Sequence, residues 1–399
     1  MNMQKKIKIA FVLQERFEVF ELARAFIERG HDVTVFINYP AFALRRFCFN
    51  PGHSKRFVLH GIAARVFASI TRCFGLPFPE KFLSQWFGRW AARQLRKEKW
   101  DVVVGMSGVS LDFLMEESLK NSLRIVVRAS AHIRAQKIIL EEEEKRVGAH
   151  LDKPSPWMLE REAAEYALAD KIRVLSAFSY DSFVSNGIDK DKLWFHASAF
   201  PTAGFKTTSR VFDERRKRIL EQGPLRVLYV GNLSFQKGLM DLKEVALRLD
   251  QTQYVFRLVG AALPEASALL SNMKGRLDIC GKKTQSELPL YYEWADIFLY
   301  LTIQDGFPQV LAQAHMSGLP VFATRNSAAP DFIEENMTGW LFPIHRPDLV
   351  VEKLQWCYHH RKDLAAMVDK IEQKLQTVQI RTWDNAAEEA EVFLGGLCH

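Results

Sequence analysis

At 399 residues the chain is longer than one hydrophobic core commonly grows, which implies two or three domains, with two as the working number. Hydrophobic residues make up 48% and charged residues 25%, and 21 Gly with 15 Pro are too few for a collagen-like, low-complexity or disordered chain. The net charge is +7, and the cysteines (Cys48, Cys73, Cys280, Cys357, Cys398) are scattered without a C-x-x-C pair, which argues against a disulfide framework or zinc site and for a reducing cytoplasm.

The opening MNMQKKIKIAFVLQERF is basic, but Gln14, Glu15 and Arg16 interrupt its apolar stretch too early for a leader, so no cleaved signal is expected. No uninterrupted apolar run reaches the roughly 18 residues of a membrane-crossing helix. Ile7–Leu13 is a near-continuous apolar run, Val19–Arg29 is amphipathic, Gly30 suits a helix stop, and Val33–Ile37 is apolar again. That succession predicts strand, helix and parallel strand. Tyr39–Lys99 then carries twelve Lys/Arg against Glu80 and Glu98, a local charge of +10, interleaved with Phe42, Phe47, Phe49, Phe57, Phe74, Phe82, Trp86 and other aromatics. Two readings stand for it: aromatics covering a core with arginines in solvent, or a peripheral contact with an anionic membrane surface. Further short strands are expected at Val102–Val104, Ile125–Val127 and Ile172–Val174, which makes the first half doubly wound α/β. The acidic run Glu141–Glu144, followed by Lys145 and Arg146, reads as a solvated helix face.

Periodicity lapses between His196 and Pro224, where the domain joint is placed. From Leu225 the alternation resumes through LRVLYVG, an amphipathic segment near Leu239–Leu249, YVFRLVG, LDICG, DIFLYL, a helix from Pro308, and PVFAT. This predicts a second parallel α/β domain.

Two segments carry chemistry. Gly231-Asn232-Leu233-Ser234-Phe235-Gln236-Lys237-Gly238 follows a strand and precedes a helix, where glycine admits a ligand to the backbone and a lysine can neutralise phosphate. It lacks the Walker A spacing and its Lys-Ser/Thr pair. In the second, Gln304-Asp305-Gly306-Phe307-Pro308-Gln309 leads into a short helix stopped at Gly318, with Pro308 suited to the first helical position. Free amides and the dipole at such a helix start attract phosphate. Asp305 lies just outside that end, and Gln313 shares a face with Gln309.

Together, GNLSFQKG and, about 70 residues later, DGFPQVLAQAxxSGLPVxAT resemble the donor half of family 4 glycosyltransferases, which have the GT-B fold. RGHDVTVF, REAAEYALADKIRVLSAFSYDSF, ELPLYYEWADIFLYLT and the terminal TWDNAAEEAEVF extend the likeness over nearly the whole chain. The resemblance implies two doubly wound Rossmann-like domains facing a central cleft: an acceptor-side domain over 1–205, a donor domain over 206–380, and a last helix within 381–399 that crosses back to the first domain.

It also implies a retaining transfer from a nucleotide-diphosphate sugar, as co-substrate and without cofactor or metal, to a glycan or lipid-linked acceptor in cell-surface polysaccharide synthesis. The family pattern places an arginine and a lysine on the first loop; here Lys237 is present and Asn232 stands for the arginine. The family's two glutamates fall on Asp305, one methylene shorter, and Gln313, whose carbonyl would accept from a ribose hydroxyl. Gly231, Gly306, Phe307, Pro308 and Gln309 complete the implied donor contacts. His132 matches a histidine that family members place facing the donor, with Arg128 as a nearby cation. The loop Leu13-Gln14-Glu15-Arg16-Phe17 has no glycine, which leaves the first domain to the acceptor.

Asp189-Lys190-Asp191 is a D-x-D triplet, but it lies in a loop of the acceptor-side half and is not taken as a metal site. No nucleic-acid module is found, and H-E-x-x-H and G-x-S-x-G are absent. The departures at Asn232 and Gln313 keep a rival in play, a nucleotide-sugar-binding subunit without turnover. The expected location is the cytoplasm, at the inner face of the membrane if the basic segment touches lipid.

Overall fold

The computed structural model describes residues 6–15, 18–74, 76–199, 204–221, 223–377 and 381–397, without the side chain of Arg72. Arg16 and Phe17 of the glycine-free loop, residues 200–203 of the expected joint, position 380 at the donor domain's expected end, and Cys398 lie outside the described residues.

Seven parallel strands form the first sheet: β1 (Lys8–Leu13), β2 (Asp32–Ile37), β3 (Ser54–Arg56), β4 (Val102–Met106), β5 (Leu123–Arg128), β6 (Lys171–Val174) and β7 (Leu193–Phe195), in the order β3-β2-β1-β4-β5-β6-β7. Six form the second: β8 (Leu225–Val230), β9 (Tyr254–Val259), β10 (Leu277–Gly281), β11 (Ile297–Tyr300), β12 (Val321–Thr324) and β13 (Gly339–Phe342), ordered β10-β9-β8-β11-β12-β13. The central strands are covered by helices on both faces, so Ile9, Phe11, Val227 and Phe298 are all buried. Register follows that burial: Ile9 faces Val33 on one side and Val102 on the other, and Val227 faces Phe256 and Ile297. Two doubly wound Rossmann-like domains result, the fold class that the sequence implies.

Strand order reverses between β1 and β4 in the first sheet and between β8 and β11 in the second. At such a reversal the loops leaving the carboxyl ends diverge and open a crevice. Both chemistry-bearing segments leave that point of the second sheet, one after β8 and the other after β11.

The chain's last helix, Trp383–Leu397, packs on the first domain against the helix Glu18–Glu28. Its alanines Ala386, Ala387 and Ala390 allow close approach, and Glu391 takes Arg29 Nε at 2.6 Å and His31 Nε2 at 2.7 Å. Phe393 stacks on Trp194 with ring centroids 4.4 Å apart.

Two readings of charge need revising. The Glu141–Glu144 run lies on the helix Ile133–Val147, but Glu143 is buried rather than solvated, because Arg146 and, from the second domain, His345 Nε2 at 2.8 Å satisfy its carboxylate. The basic segment divides: Phe49 and Phe87 enter the core, whereas Phe42, Phe74, Phe78 and Phe82 are exposed. Among the described residues, no helix is long and apolar enough to cross a membrane.

Candidate functional site

The loop after β8 is fixed from three sides. Leu233 N–H donates to the Ala261 carbonyl at 2.8 Å, Tyr229 O–H to the Asn232 carbonyl at 2.8 Å, and Ile303 N–H to the Gln236 carbonyl at 2.9 Å. Gly238 ends it at φ 78°, where a Cβ would also fall 1.7 Å from the Leu301 carbonyl oxygen, so no other residue fits without moving β11. Asn232 is left exposed and Lys237 half-buried.

From this loop the Lys237 ammonium reaches across to the Asp305 carboxylate and forms an ion pair with Oδ2. Tyr300, the last residue of β11, donates to the same oxygen at 2.8 Å, and the Asp305 amide is held by the Asn326 carbonyl at 2.9 Å. Burial, and then the charge of Asp305, push the Tyr229 and Tyr300 phenols well above their ordinary range, so both remain protonated donors. Lys237 and Asp305, 68 positions apart, are thus one unit on a tyrosine floor.

The helix after this loop runs Gln309–Met316. Pro308 is its cap, extended at φ −72° and ψ 111°, rather than its first helical residue, and its carbonyl accepts from Leu311 N–H at 3.1 Å. At the other end the Gly318 amide bonds to the His315 carbonyl and the Leu319 amide to that of Ala314, a Schellman stop. Gln309 is exposed, Phe307 sits edge-on to Phe332 at 5.7 Å, and Gln313 is buried. Gln313 Oε1 accepts from Tyr292 O–H at 2.9 Å, which fixes the carboxamide and leaves the oxygen's second lone pair and the NH₂ group for a ligand.

On the first domain, His132 and Arg128 are not open to the cleft as expected. His132 caps the helix Ile133–Val147, its Nδ1 accepting from Arg134 N–H at 3.3 Å, with its ring against Tyr166 and Phe183. Burial, then the charges of Arg134 and Arg128, lower its pKa to about 4, so it is neutral near pH 7. The Arg128 guanidinium is spent on Glu162 at 2.8 Å, Gln136 and the Ala131 carbonyl at 3.1 Å. What this loop offers the second domain is Ser130, whose Oγ donates to Gln304 Oε1 at 2.7 Å. Beside it Gly306 lies so close that a Cβ would stand 2.0 Å from the Ala129 carbonyl oxygen. Further out, Phe235 of the β8 loop packs with Leu140 and Leu151 of the first domain.

Sequence reasoning missed Tyr300, Ser130, Gln304 and Phe235. The signal for Tyr300 was a lone hydroxyl closing an apolar strand; the other three act across the domain gap, which carries no periodic signature. Asp189 caps the turn Lys190–Lys192 through the Asp191 amide at 3.0 Å. Among the described residues, no group of three or more His, Cys, Asp or Glu is placed to hold a metal ion.

The family described as glycosyl transferases group 1 matches residues 211–374, and that described as Glycosyltransferase Family 4 matches residues 19–195. Among curated relatives, the amylovoran biosynthesis glycosyltransferase AmsK of Erwinia amylovora is 36% identical over 144 residues, 33% of this chain and 35% of that protein. The putative colanic acid biosynthesis glycosyltransferase WcaL of Escherichia coli (strain K12) is 24% identical over 166 residues, 38% of this chain and 41% of its own. The matches therefore span between a third and a half of the length of these relatives. Among solved structures, Anabaena HepE in complex with UDP superposes with a TM-score of 0.70 at 14% identity, covering 98% of this chain and all of that one (100%). Sucrose-phosphate synthase from Thermosynechococcus elongatus gives 0.71 at 15% identity, with 98% and 99% covered. At these identities the likeness is one of fold, GT-B in each case.

Proposed function

The chain belongs to the group 1, family 4 glycosyltransferases, and from that premise we propose that it moves a sugar from a nucleotide-diphosphate sugar to a glycan or lipid-linked acceptor, with retention and without a metal, in cell-surface polysaccharide synthesis. The observation that carries this reading is the meeting of Lys237, Asp305 and the start of the helix Gln309–Met316 at the strand-order reversal of the second sheet.

In this reading the diphosphate lies between the loop 231–238 and that helix start, with Gly231 and Gly306 admitting it to the backbone and Asn232, Phe307, Pro308 and Gln309 around it. Lys237 exchanges its carboxylate for phosphate and stabilises the charge that grows on the leaving diphosphate, with the helix amides as further donors. Asp305, released from the ammonium but still held by Tyr300, accepts from a sugar hydroxyl and orients the ring. Gln313 bonds a ribose hydroxyl through the open lone pair of its Oε1. His132 and Arg128 act as positioning residues that hold the 129–131 loop against Gln304 and Gly306.

Uridine diphosphate sugars are the first donors to test, since solved neighbours are titled as complexes with UDP and UDP-glucose. The names of two relatives, amylovoran and colanic acid biosynthesis, support an exopolysaccharide acceptor. Thermal shift with UDP, GDP, ADP and their sugars identifies the base, because a ligand bound only by the folded state raises apparent stability. Absence of a shift with any of them would overturn the donor site.

The exposed Asn232 in place of a cation, and the neutral Gln313 in place of a carboxylate, favour a second reading, a nucleotide-sugar-binding subunit without turnover. Nucleotide release in the presence of acceptor separates the two, since a binding subunit shows the thermal shift and releases none.

A further inference from the structure

Away from the cleft, the helix Val58–Phe74 turns outward the side that a surface helix ordinarily buries. Leu59, Ile62, Val66 and Phe74 are between 51% and 75% exposed, and Ile70 continues the line. Steps of three and four residues place them along one continuous stripe. Beyond the helix, Phe78 and Phe82 extend the exposed apolar surface.

Packing on the other side fixes this orientation. His60 is buried, its ring bonded to Asn38 Nδ2 at 3.3 Å and to the Leu83 carbonyl at 3.1 Å. Gly61 presses so closely on the chain leaving β2 that a Cβ would lie 2.2 Å from the Asn38 carbonyl oxygen. The helix cannot roll its stripe inward without breaking these contacts.

Charge says what covers the stripe. Of the two carboxylates in 39–99, Glu98 is taken by Lys8 and Lys55, and Glu80 accepts from Ser155 Oγ at 2.7 Å. Among the described residues, Arg45, Arg46, Arg56, Arg65 and Lys81 have no carboxylate partner. Arg65 flanks the stripe on the exposed face, over the Tyr39 ring at 5.5 Å, which ties the stripe to the neighbouring helix Ala41–Arg46 and its exposed Phe42. A second copy of the chain would bring two segments of charge +10 face to face. An anionic bilayer instead supplies an apolar interior for the leucine, isoleucine, valine and phenylalanine side chains and phosphates for the arginines.

We infer that the stripe Leu59–Ile62–Val66–Ile70–Phe74, with its arginine rim, docks on an anionic lipid bilayer, the helix lying in the interface plane. Asn38 follows β2 at the carboxyl edge of the first sheet, the edge from which Ala129 and Ser130 reach the second domain. Docking therefore brings the cleft side of the acceptor domain to the lipid surface. Its bearing on a lipid-linked acceptor rests on the transferase reading, whereas the docking itself does not.

The test is flotation of the full chain with phosphatidylcholine vesicles, with and without phosphatidylglycerol, at low and high salt. Binding is expected only with phosphatidylglycerol and to weaken with salt. Ile62→Glu with Val66→Glu is expected to weaken it by at least about tenfold, and Arg45→Ala with Arg46→Ala by about tenfold. These positions are exposed, and an unchanged unfolding midpoint certifies the variants. No binding at low salt, equal binding to both vesicle types, or full binding by Ile62→Glu with Val66→Glu would overturn the inference. So would dimerisation, seen by light scattering and abolished by those two substitutions, in a protein that ignores vesicles. Donor binding is scored separately by thermal shift: a chain that binds donor but not vesicles refutes the docking alone, and one that binds vesicles but no donor refutes the transferase reading alone.

Discussion

Lys237→Met keeps the length and apolar stem of the side chain and deletes its charge. The ammonium has one carboxylate partner, Asp305, and both side chains are about a fifth exposed, 22% and 19%. An ion pair this close to solvent contributes no more than about 1 kcal/mol to folding, and Asp305 keeps its bond from Tyr300, so the loss of stability should stay within about 1 kcal/mol. Against the diphosphate the same ammonium makes a charge-assisted contact of about 1.5–3 kcal/mol that strengthens as the leaving group gains charge. At about 1.4 kcal/mol per factor of ten, kcat/KM should fall between about tenfold and about 150-fold. Asp305→Asn should act differently: it releases Lys237 from its internal counterion, so UDP binding holds or tightens while turnover falls. Calorimetric titration with UDP, nucleotide release with acceptor, and urea unfolding give the three readouts. Lys237→Met protein with wild-type UDP affinity and turnover would show that the lysine serves only to neutralise Asp305, and would remove the proposed role.

Gly306→Ala drives a methyl into the Ala129 carbonyl and should lower turnover by about 100-fold, as an offset near 1 Å does, while circular dichroism shows both domains folded. Phe235→Ala uncovers Leu140 and Leu151 and should cost about 3–5 kcal/mol in urea unfolding, with a raised donor KM. The buried His132 and His196 and the half-buried His315 set the acid limit. Burial, followed by neighbouring cations, lowers the pKa of His132 to about 4 (Arg134, Arg128), of His196 to about 2 (Arg173, Arg381) and of His315 to about 4 (Lys374). In the unfolded chain each takes a proton near about 6.5, so the unfolded state gains protons first and stability present above that pH is lost as pH falls towards 4. Unfolding free energies measured across that range should decline, and a flat profile would contradict the neutral burial of these rings.

The long central strands were legible because burial on both faces writes an uninterrupted apolar run, as at Ile9–Leu13 and Val227–Val230. β3, β7 and β13 were not. The first is Ser-Lys-Arg, the second three residues long and the third four beginning with glycine, too short or too charged for any pattern to register. At the site, the glycines and the lysine could be read because turn geometry and phosphate chemistry demand those residue types at strand ends. The pairing of Lys237 with Asp305 could not, since only the sheet order sets β8 beside β11. Glu143 and Arg128 were misread for one reason: each is a charge whose partner comes from distant sequence (His345, Glu162), and local spacing cannot tell such a charge from a solvated or ligand-facing one.

Phe235 belongs to the proposed phosphate loop yet is packed by side chains of the opposite domain. Parting the two halves must therefore loosen the grip on the donor, and gripping the donor must draw the halves together. By linkage, whatever the first domain binds changes donor affinity by the same factor that the donor changes its own. The mutual dependence of the two substrates is on this account a mechanical property of the contacts between the domains, the phenylalanine among them, readable as a donor dissociation constant that depends on acceptor concentration.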